Sequence, residues 1–196
     1  MKRERGAVLV IALVFLLLLT LVAITSSSRS LIQERLAGAL RNAQQADWSA
    51  ENALRGVEWR LFTGDASLGC YDSSNPATVS AKAKAFRAAQ TWVTAGATEY
   101  KGTGVSLDYT ATATDPNMGT ASLAANPWFI VELLGQDRTP LSGTSTAKEA
   151  SAGGSASTNR FYLYRVTARA VGGSPNTIRV IESTFVTPNR LTCTLS

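Results

Sequence analysis

The most hydrophobic stretch of the chain lies close to its N-terminus. Residues 7–24 (AVLVIALVFLLLLTLVAI) carry no charge, and Lys2, Arg3 and Arg5 precede them. As a helix they would span about 27 Å, close to the thickness of a bilayer's hydrocarbon core. A helix also satisfies each backbone N–H and C=O within the segment. Because basic flanks stay in the cytoplasm, we predict a transmembrane helix followed by an exported chain.

The pattern after residue 24 remains helical but becomes amphipathic. Residues 25–62 contain no proline, and their two glycines, Gly38 and Gly56, are isolated. Small or apolar residues recur every three or four positions, as on one face of a helix: Leu36, Leu40, Ala43, Ala46, Ala50, Leu54, Val57 and Leu61. We therefore predict one continuous helix over residues 7–62, on the order of 80 Å long.

The remaining part, residues 63–196, is predicted to form an exported α+β domain. Turn residues fill 63–76, and a second helix is predicted over 78–93, with Phe86 and Trp92 as core anchors and Gly96 as its stop. Alternating or short apolar runs predict four strands, over residues 105–111, 127–135, 160–171 and 177–187. The last two form a hairpin. The expected fold is an antiparallel sheet packed on the long helix.

One long segment shows no apolar periodicity. Residues 136–159 are rich in Gly, Ser, Thr and Ala, so we predict a mobile exposed loop between two strands. This loop could contact a partner, or it could be an insertion that the fold tolerates; the sequence leaves both open. Asp65 and Asp72 lack the spacing of a dedicated calcium loop, so turn formation is the favoured interpretation for both.

The chain has two cysteines, Cys70 and Cys193. In an exported domain, an even pair more often forms a disulfide than a reactive thiol, because the compartment is oxidising. Such a bond would tie the region after the long helix to the C-terminal end. Two unpaired buried thiols are the alternative.

Composition argues against several function classes. The net charge of +5 is diffuse, and no basic run is interleaved with aromatic residues, so we expect no nucleic-acid partner. The chain lacks histidine, the commonest general base and zinc ligand. No Gly-rich phosphate loop follows a predicted strand. We therefore predict no enzyme, no metal and no cofactor, although a Ser–Lys or carboxylate dyad could assemble in space.

The first third of the chain resembles the PilX family of minor type IV pilins. The family's R-G-x-x-L-V-x-A-L is matched by Arg5, Gly6, Leu9, Val10, Ala12 and Leu13. Its E-R-x-A-x-x-x-R is matched by Glu34, Arg35, Ala37 and Arg41, and the match continues at Ala46, Ser49, Ala50, Glu51, Leu54 and Arg55. Asp47, Trp48 and Asn52 depart from the family pattern.

This resemblance implies a type IV pilin fold and a specific processing of the N-terminus. Residues 1–6 would be a leader that prepilin peptidase removes after Gly6, leaving Ala7 as an N-methylated first residue. Residues 7–24 would serve as both membrane and assembly helix, including Ala7, Leu9, Ile11, Phe15 and Ile24. A secretory signal cut near residues 23–28 and an uncleaved anchor are the rival interpretations.

Ile11 departs from the pattern of pilins that form the filament body. Those typically carry a glutamate five residues after the cut, which neutralises the free α-amine of the neighbouring subunit above. A subunit with nothing above it has no amine to neutralise, and a carboxylate there would be an unpaired charge. Ile11 therefore favours a position at the tip, although simple packing of Ile11 among neighbours is an alternative.

The resemblance implies a function in pilus assembly, and with it adhesion and twitching motility. The protein would lie in the bacterial inner membrane with its N-terminus cytoplasmic and its domain periplasmic, then enter the pilus. Expected partners are other minor pilins, the major pilin, the inner-membrane assembly machinery and a tip adhesin. The alternatives are a GspK-like pseudopilin of type II secretion and a membrane-anchored periplasmic enzyme or binding domain.

Overall fold

The computed structural model describes residues 5–101, 108–110, 121–137 and 161–193, with the side chains of residues 5–7 and 28 excepted. The chain divides into two compact units, Met1–Arg41 and Asn42–Ser196. The boundary falls within a single helix, α1, which runs over Arg5–Thr63. The predicted continuous helix over 7–62 is therefore confirmed.

In the first unit, the side chains of α1 are exposed. Every large apolar side chain between residues 8 and 24 is at least 50% exposed. Leu36 and Leu40, which begin the amphipathic pattern, are 59% and 56% exposed. No described residue of this unit covers this apolar surface.

In the second unit, one face of α1 is buried against a sheet. Its members are small or aliphatic and recur at helical spacing: Ala46, Ala50, Ala53, Leu54, Val57 and Leu61. Leu54, Val57 and Leu61 share a core cluster with sheet residues such as Phe129 and Tyr164. The apolar positions predicted from the sequence are thus core positions from Ala46 onward.

Within the described residues the sheet has five strands: β1 (Tyr71–Asp72), β2 (Thr98–Glu99), β3 (Trp128–Asp137), β4 (Phe161–Val171) and β5 (Ile178–Thr187). Its order is β1-β3-β4-β5, and β2 also pairs with β3. The pairs β2–β3, β3–β4 and β4–β5 are antiparallel, and β4–β5 is the hairpin predicted from the sequence. The short strands β1 and β2 lie outside the four strands that the sequence predicted. The short β1 runs parallel to β3, so the sheet is mixed rather than wholly antiparallel.

The helix predicted over residues 78–93 is shorter in the structure. A 3-10 turn spans Pro76–Thr78, and α2 spans only Ala81–Ala88. Ala89 takes an extended conformation (ψ 134°) and ends α2. Gly96, expected to stop this helix, lies well beyond its end in a turn with φ +76°. Phe86 is fully buried as predicted, whereas Trp92 is only partly buried.

Two other sequence predictions fall largely outside the described residues. Of the strand predicted over 105–111, only residues 108–110 are described, and they include a turn rather than a strand. Of the loop predicted over 136–159, residues 136 and 137 belong to β3, and the remainder lies outside the described residues.

The sheet is covered on both faces near its centre. Alternation along β4 directs Tyr164, Val166 and Ala168 into the cluster shared with α1. On the opposite face, α2 packs through Ala83 and Phe86 against Ile130 of β3. The second unit is therefore an α+β domain in which α1 and α2 lie on opposite faces of the sheet.

Candidate functional site: the long helix and its supports

The apolar segment of α1 offers hydrophobic surface on every side. Four of the five residues singled out for this segment have described side chains, and these four are exposed: Leu9 (69%), Ile11 (55%), Phe15 (61%) and Ile24 (68%). The most apolar 18-residue window has a mean hydropathy of 3.2, and none of it is buried. By length and composition this helix fits a membrane anchor.

Polar groups within this segment are satisfied locally. Thr20 donates its hydroxyl hydrogen to the carbonyl of Leu17 at 2.8 Å, and Thr25 does the same to Val22 at 2.9 Å. Neither hydroxyl therefore needs a further hydrogen-bond acceptor when the helix lies in lipid. The segment can be buried in a bilayer without an unpaired side-chain donor.

Gly6 and Ala7, the predicted cleavage pair, lie at the start of α1. Their backbone is helical. Cleavage after Gly6 and methylation of Ala7 stay predictions that depend on the sequence resemblance.

The disulfide predicted between Cys70 and Cys193 is present. The two Cα atoms lie 4.5 Å apart, and the bond closes a separation of 123 residues. Cys70 is fully buried in the core cluster shared by α1 and the sheet. The bond therefore fastens the chain after α1 to the chain after β5.

Two tyrosines hold the second half of α1 against the domain. Asn52 donates a side-chain amide hydrogen to the Tyr109 hydroxyl at 2.6 Å. Burial raises the pKa of the Tyr109 hydroxyl from its ordinary value of 10.0 to about 12. Tyr100 packs on α1 at Gly56, where a Cβ atom would overlap the tyrosine hydroxyl. Close contact here requires glycine.

The C-terminal end of α1 is tied to the region around β5. The Ser183 hydroxyl donates to Glu58 at 2.5 Å, and the Asn189 amide donates to the carbonyls of Leu61 (3.3 Å) and Phe62 (2.7 Å). The last carbonyls of a helix lack intrahelical partners, and Asn189 supplies a donor to the carbonyl of Phe62. The carbonyl of Leu61 also accepts from the backbone N–H of Gly64 at 3.2 Å. These contacts fix where α1 leaves the sheet.

A second polar cluster fastens α2 to the outer face of the sheet. The Glu132 carboxylate is fully buried; it accepts a hydrogen bond from Ser73 at 2.9 Å and lies 3.3 Å from Arg87 Nε and 3.9 Å from Arg165 Nη1. Arg87 belongs to α2, whereas Glu132 and Arg165 belong to neighbouring strands. The cluster is a buried ion network with a structural role.

Arg169 is the largest fully buried side chain among the described residues. Its guanidinium donates to the carbonyls of Phe86, Ala89 and Thr91, and it lies 5.2 Å from the centre of the Phe86 ring. It thus stabilises the C-terminal end of α2, where a positive charge is favourable. Burial lowers the pKa of this guanidinium below its ordinary value. Because side chains alternate along a strand, Arg169 lies on the face of β4 opposite Val166, and its burial there depends on α2.

Asp65 and Asp72 are turn residues. Each accepts hydrogen bonds from the backbone and hydroxyl of the serine two residues later. Asp65 also pairs with Arg60 at 2.7 Å, and its pKa falls to about 2, chiefly because of the Ser67 hydroxyl and then Arg60. Within the described ranges, no three His, Cys, Asp or Glu residues converge as metal ligands.

The face of α1 opposite the core carries large aromatic side chains. Trp48 is 68% exposed, Trp59 63% and Phe62 59%. Glu51 and Arg55 lie between them as an ion pair at 3.4 Å. We call these five residues the aromatic seam. Sequence reasoning noted Trp48 only as a departure from the family pattern; the spacing of seven residues from Trp48 to Arg55 to Phe62 was the signal available.

Comparison with known protein families gives two matches. The model described as PilX N-terminal matches residues 5–68, and the model described as Type IV pilus assembly protein PilX C-term matches residues 42–187. No curated protein and no solved structure was found to match the chain.

Proposed function

We propose a function at the pilus tip for this chain, on the premise that it belongs to the PilX family of type IV pilus assembly proteins. Membership makes it a minor pilin, a structural protein that interacts with other pilus components. The finer proposal is that it forms part of a complex that primes polymerisation, remains at the tip and presents an adhesin.

The observation that carries the tip proposal is Ile11. It lies in a segment without charge, and its side chain is 55% exposed to whatever surrounds the helix. A carboxylate at this position would be favourable only beside a positive group, such as the α-amine of a subunit stacked above. An isoleucine at this position supports the proposal that no subunit is stacked above this one.

The proposed sequence of events begins in the inner membrane. Residues 1–6 lie in the cytoplasm, and the domain lies in the periplasm. Prepilin peptidase cleaves after Gly6 and Ala7 is methylated, so α1 retains its apolar segment. The helix then joins those of other minor pilins, and the assembly machinery adds the major pilin beneath this complex.

The N-terminus of the mature protein tests the processing step. Protein would be recovered from native membranes and from sheared pili, and its N-terminal peptide mass would be determined. We expect N-methylated Ala7 in both samples. An intact Met1, or a cut near Ser26, would remove the pilin interpretation and favour an anchored or secreted protein.

The location on the pilus tests the tip proposal separately. An epitope placed within residues 138–159 would be labelled with gold on sheared pili, with the major pilin labelled as control. Label confined to pilus ends is expected. Label spaced along the shaft would mean that the chain is incorporated throughout the filament.

A further inference from the structure

A cavity opens beside the second half of α1, entirely within the second unit. Its volume is about 310 Å³, at the small end of the range for ligand pockets. The residues that line it come from one face of α1 and from the chain that packs on this face, and they include Gln45, Trp48, Ser49, Asn52, Tyr109 and Leu123. We call this space the α1 cavity. Its size suits a ligand of one or two rings.

Hydrogen bonds hold the walls of the α1 cavity in place. The Gln45 amide donates to the carbonyl of Ala121 at 3.4 Å, and its oxygen accepts from the backbone N–H of Gly173 at 3.3 Å. The backbone N–H of Leu123 donates to the carbonyl of Tyr109 at 2.9 Å, and these two side chains are only 5% and 6% exposed. A site whose walls are fixed before the ligand arrives loses less entropy on binding.

The lining of the α1 cavity combines an aromatic face with polar groups. Trp48, a member of the aromatic seam, is 68% exposed. The face of its indole ring is apolar and carries partial negative charge, so it attracts C–H groups. Asn52 donates to the Tyr109 hydroxyl at 2.6 Å. The Asn52 oxygen can still accept a hydrogen bond, and the Tyr109 hydroxyl can still donate one.

These properties exclude several classes of ligand. The residues that line the cavity are uncharged, so a phosphate, a carboxylate or an ammonium group would lose hydration without gaining a counter-ion. A wholly apolar ligand would cover the Asn52 oxygen and the Tyr109 hydroxyl without pairing them. The ligand that fits is therefore neutral, with an apolar face and polar groups at its edge.

We propose that the α1 cavity binds a neutral N-acetylated sugar ring. One face of such a ring presents C–H groups that can stack on Trp48, while its edge carries hydroxyl groups. The acetamido group supplies a methyl group, an N–H donor and a C=O acceptor. These match the apolar side chain of Leu123, the Asn52 oxygen and the Tyr109 hydroxyl. A plain hexose has no methyl group to place against Leu123, so it should bind less tightly.

Saturation-transfer difference NMR tests this proposal. The full chain, in a detergent without a sugar headgroup, would be titrated with chitotriose, the trimer of N-acetylglucosamine. We expect transfer to the acetamido methyl and to the ring C–H protons. Cellotriose, which has the same linkage without acetamido groups, is the matched control and should receive much less. No transfer to chitotriose, or equal transfer to both sugars, would overturn the proposal.

Two variants of α1 place the binding at the cavity. Trp48→Ala should weaken the binding of chitotriose about tenfold, because the stacking surface is lost. Trp59→Ala is the matched control: Trp59 lies on the same helix and is 63% exposed, but it does not line the cavity, so binding should be unchanged. Both variants should keep the wild-type unfolding midpoint. Undiminished binding by Trp48→Ala would contradict the assignment of the site.

Tyr109→Phe provides a second check within the cavity. It removes only a hydroxyl group, and chitotriose should then bind severalfold less tightly while transfer to its ring C–H protons persists. Unchanged affinity would remove the polar part of the assignment. Occupation of the cavity by another segment of this chain would give no transfer to any sugar and would also overturn the proposal.

The source of the sugar is a separate arm of the experiment. N-acetylated sugar rings occur in peptidoglycan and in cell-surface glycans, so the detergent-solubilised chain would be sedimented with purified peptidoglycan. Sedimentation that chitotriose competes away supports the cavity with peptidoglycan as the source. Binding of chitotriose without sedimentation supports it with surface glycans as the source. Failure of both leaves the tip proposal in place, because that proposal depends on Ile11 and on the processing of Ala7.

Discussion

At the scale of single residues, the contact between α1 and the sheet depends on side chains that are missing or unusually small. Gly56 lets Tyr100 approach the helix backbone, and Ala46, Ala50 and Ala53 are fully buried on the same side of α1. A glycine inside a helix ordinarily costs about 1 kcal/mol relative to alanine. Glycine is nevertheless required at position 56, because the buried Tyr100 occupies the space that a Cβ atom would need.

Gly56→Ala should therefore destabilise the protein despite the higher helix propensity of alanine. Overpacking against Tyr100 should exceed the gain in propensity, giving a net loss of about 1–2 kcal/mol. Thermal unfolding of the full chain in detergent would measure it. Gly38→Ala is the matched control, because nothing lies within 4 Å of that site and no loss is expected. Equal midpoints for the two variants would contradict the steric account.

Substitution of Arg169 should lower the free energy of unfolding more than most other single substitutions in the domain. Arg169→Met removes the buried donor to three carbonyls at and just beyond the end of α2, and we expect a loss of about 3 kcal/mol in denaturant unfolding. The control is Arg179→Met, which breaks the exposed 3.1 Å pair with Asp47 and should cost less than about 1 kcal/mol. Similar losses at both positions would exclude a special contribution from burial.

The lowered pKa of Asp65 predicts that the protein loses stability as the pH falls. Its pKa is lowered to about 2 in the folded state, so its stabilising contacts are present above the ordinary value near 3.8 and are lost as the pH falls through 2. Ser67→Ala should raise this pKa, because the Ser67 hydroxyl is the main cause of the shift. A carboxyl NMR titration would show it, with Ser74→Ala as a control that affects Asp72 instead. An ordinary pKa in the wild type would refute the assignment.

At the scale of elements, the sequence was most informative where a repeat was long. The helix predicted over 7–62 matches α1 (Arg5–Thr63) closely. The last strand, predicted over 177–187, matches β5 (Ile178–Thr187) equally well. Many periodic positions indicate each of these elements. The second helix was overextended, since Val93 continued the apolar spacing while the backbone already turns at Ala89. The spacing of apolar residues within α2 carries no information about Arg169, which lies in β4 and donates hydrogen bonds to the end of α2.

The same limit applies to the candidate site. The apolar segment and the disulfide follow from composition and compartment, both of which are visible in the chain. The aromatic seam was missed because Trp48, Trp59 and Phe62 could equally have been buried, and only the placement of the sheet shows which face of α1 is covered. Exposure is a tertiary property.

Removing the disulfide should weaken the whole second unit. Cys70→Ser with Cys193→Ser frees a loop whose ends are 123 residues apart, and the chain-entropy model gives a loss of about 5 kcal/mol. Denaturant unfolding of the double variant and of the wild type would measure the difference. Reduction of the wild-type protein should reproduce the variant's stability. A double variant as stable as the oxidised wild type would contradict the expectation.

At the scale of the whole molecule, the uncharged segment around Ile11 bears on where the subunit can sit in a filament. Ile11→Glu would place a carboxylate in the apolar part of α1, with no stacked subunit to pair with it if the chain caps the filament. We expect fewer pili per cell, counted by electron microscopy. Ile11→Leu is the control and should leave the number unchanged. Normal piliation with Ile11→Glu would remove most of the support for a tip position.

The disulfide also has a mechanical consequence. A load that entered along α1 and left near Cys193 would cross only the short stretch from Thr63 to Cys70 before it reached the covalent bond. The strands from β1 to β5 lie within the bridged loop and would be shielded from that tension. A subunit built this way could transmit a pull through its covalent frame while its sheet remained folded.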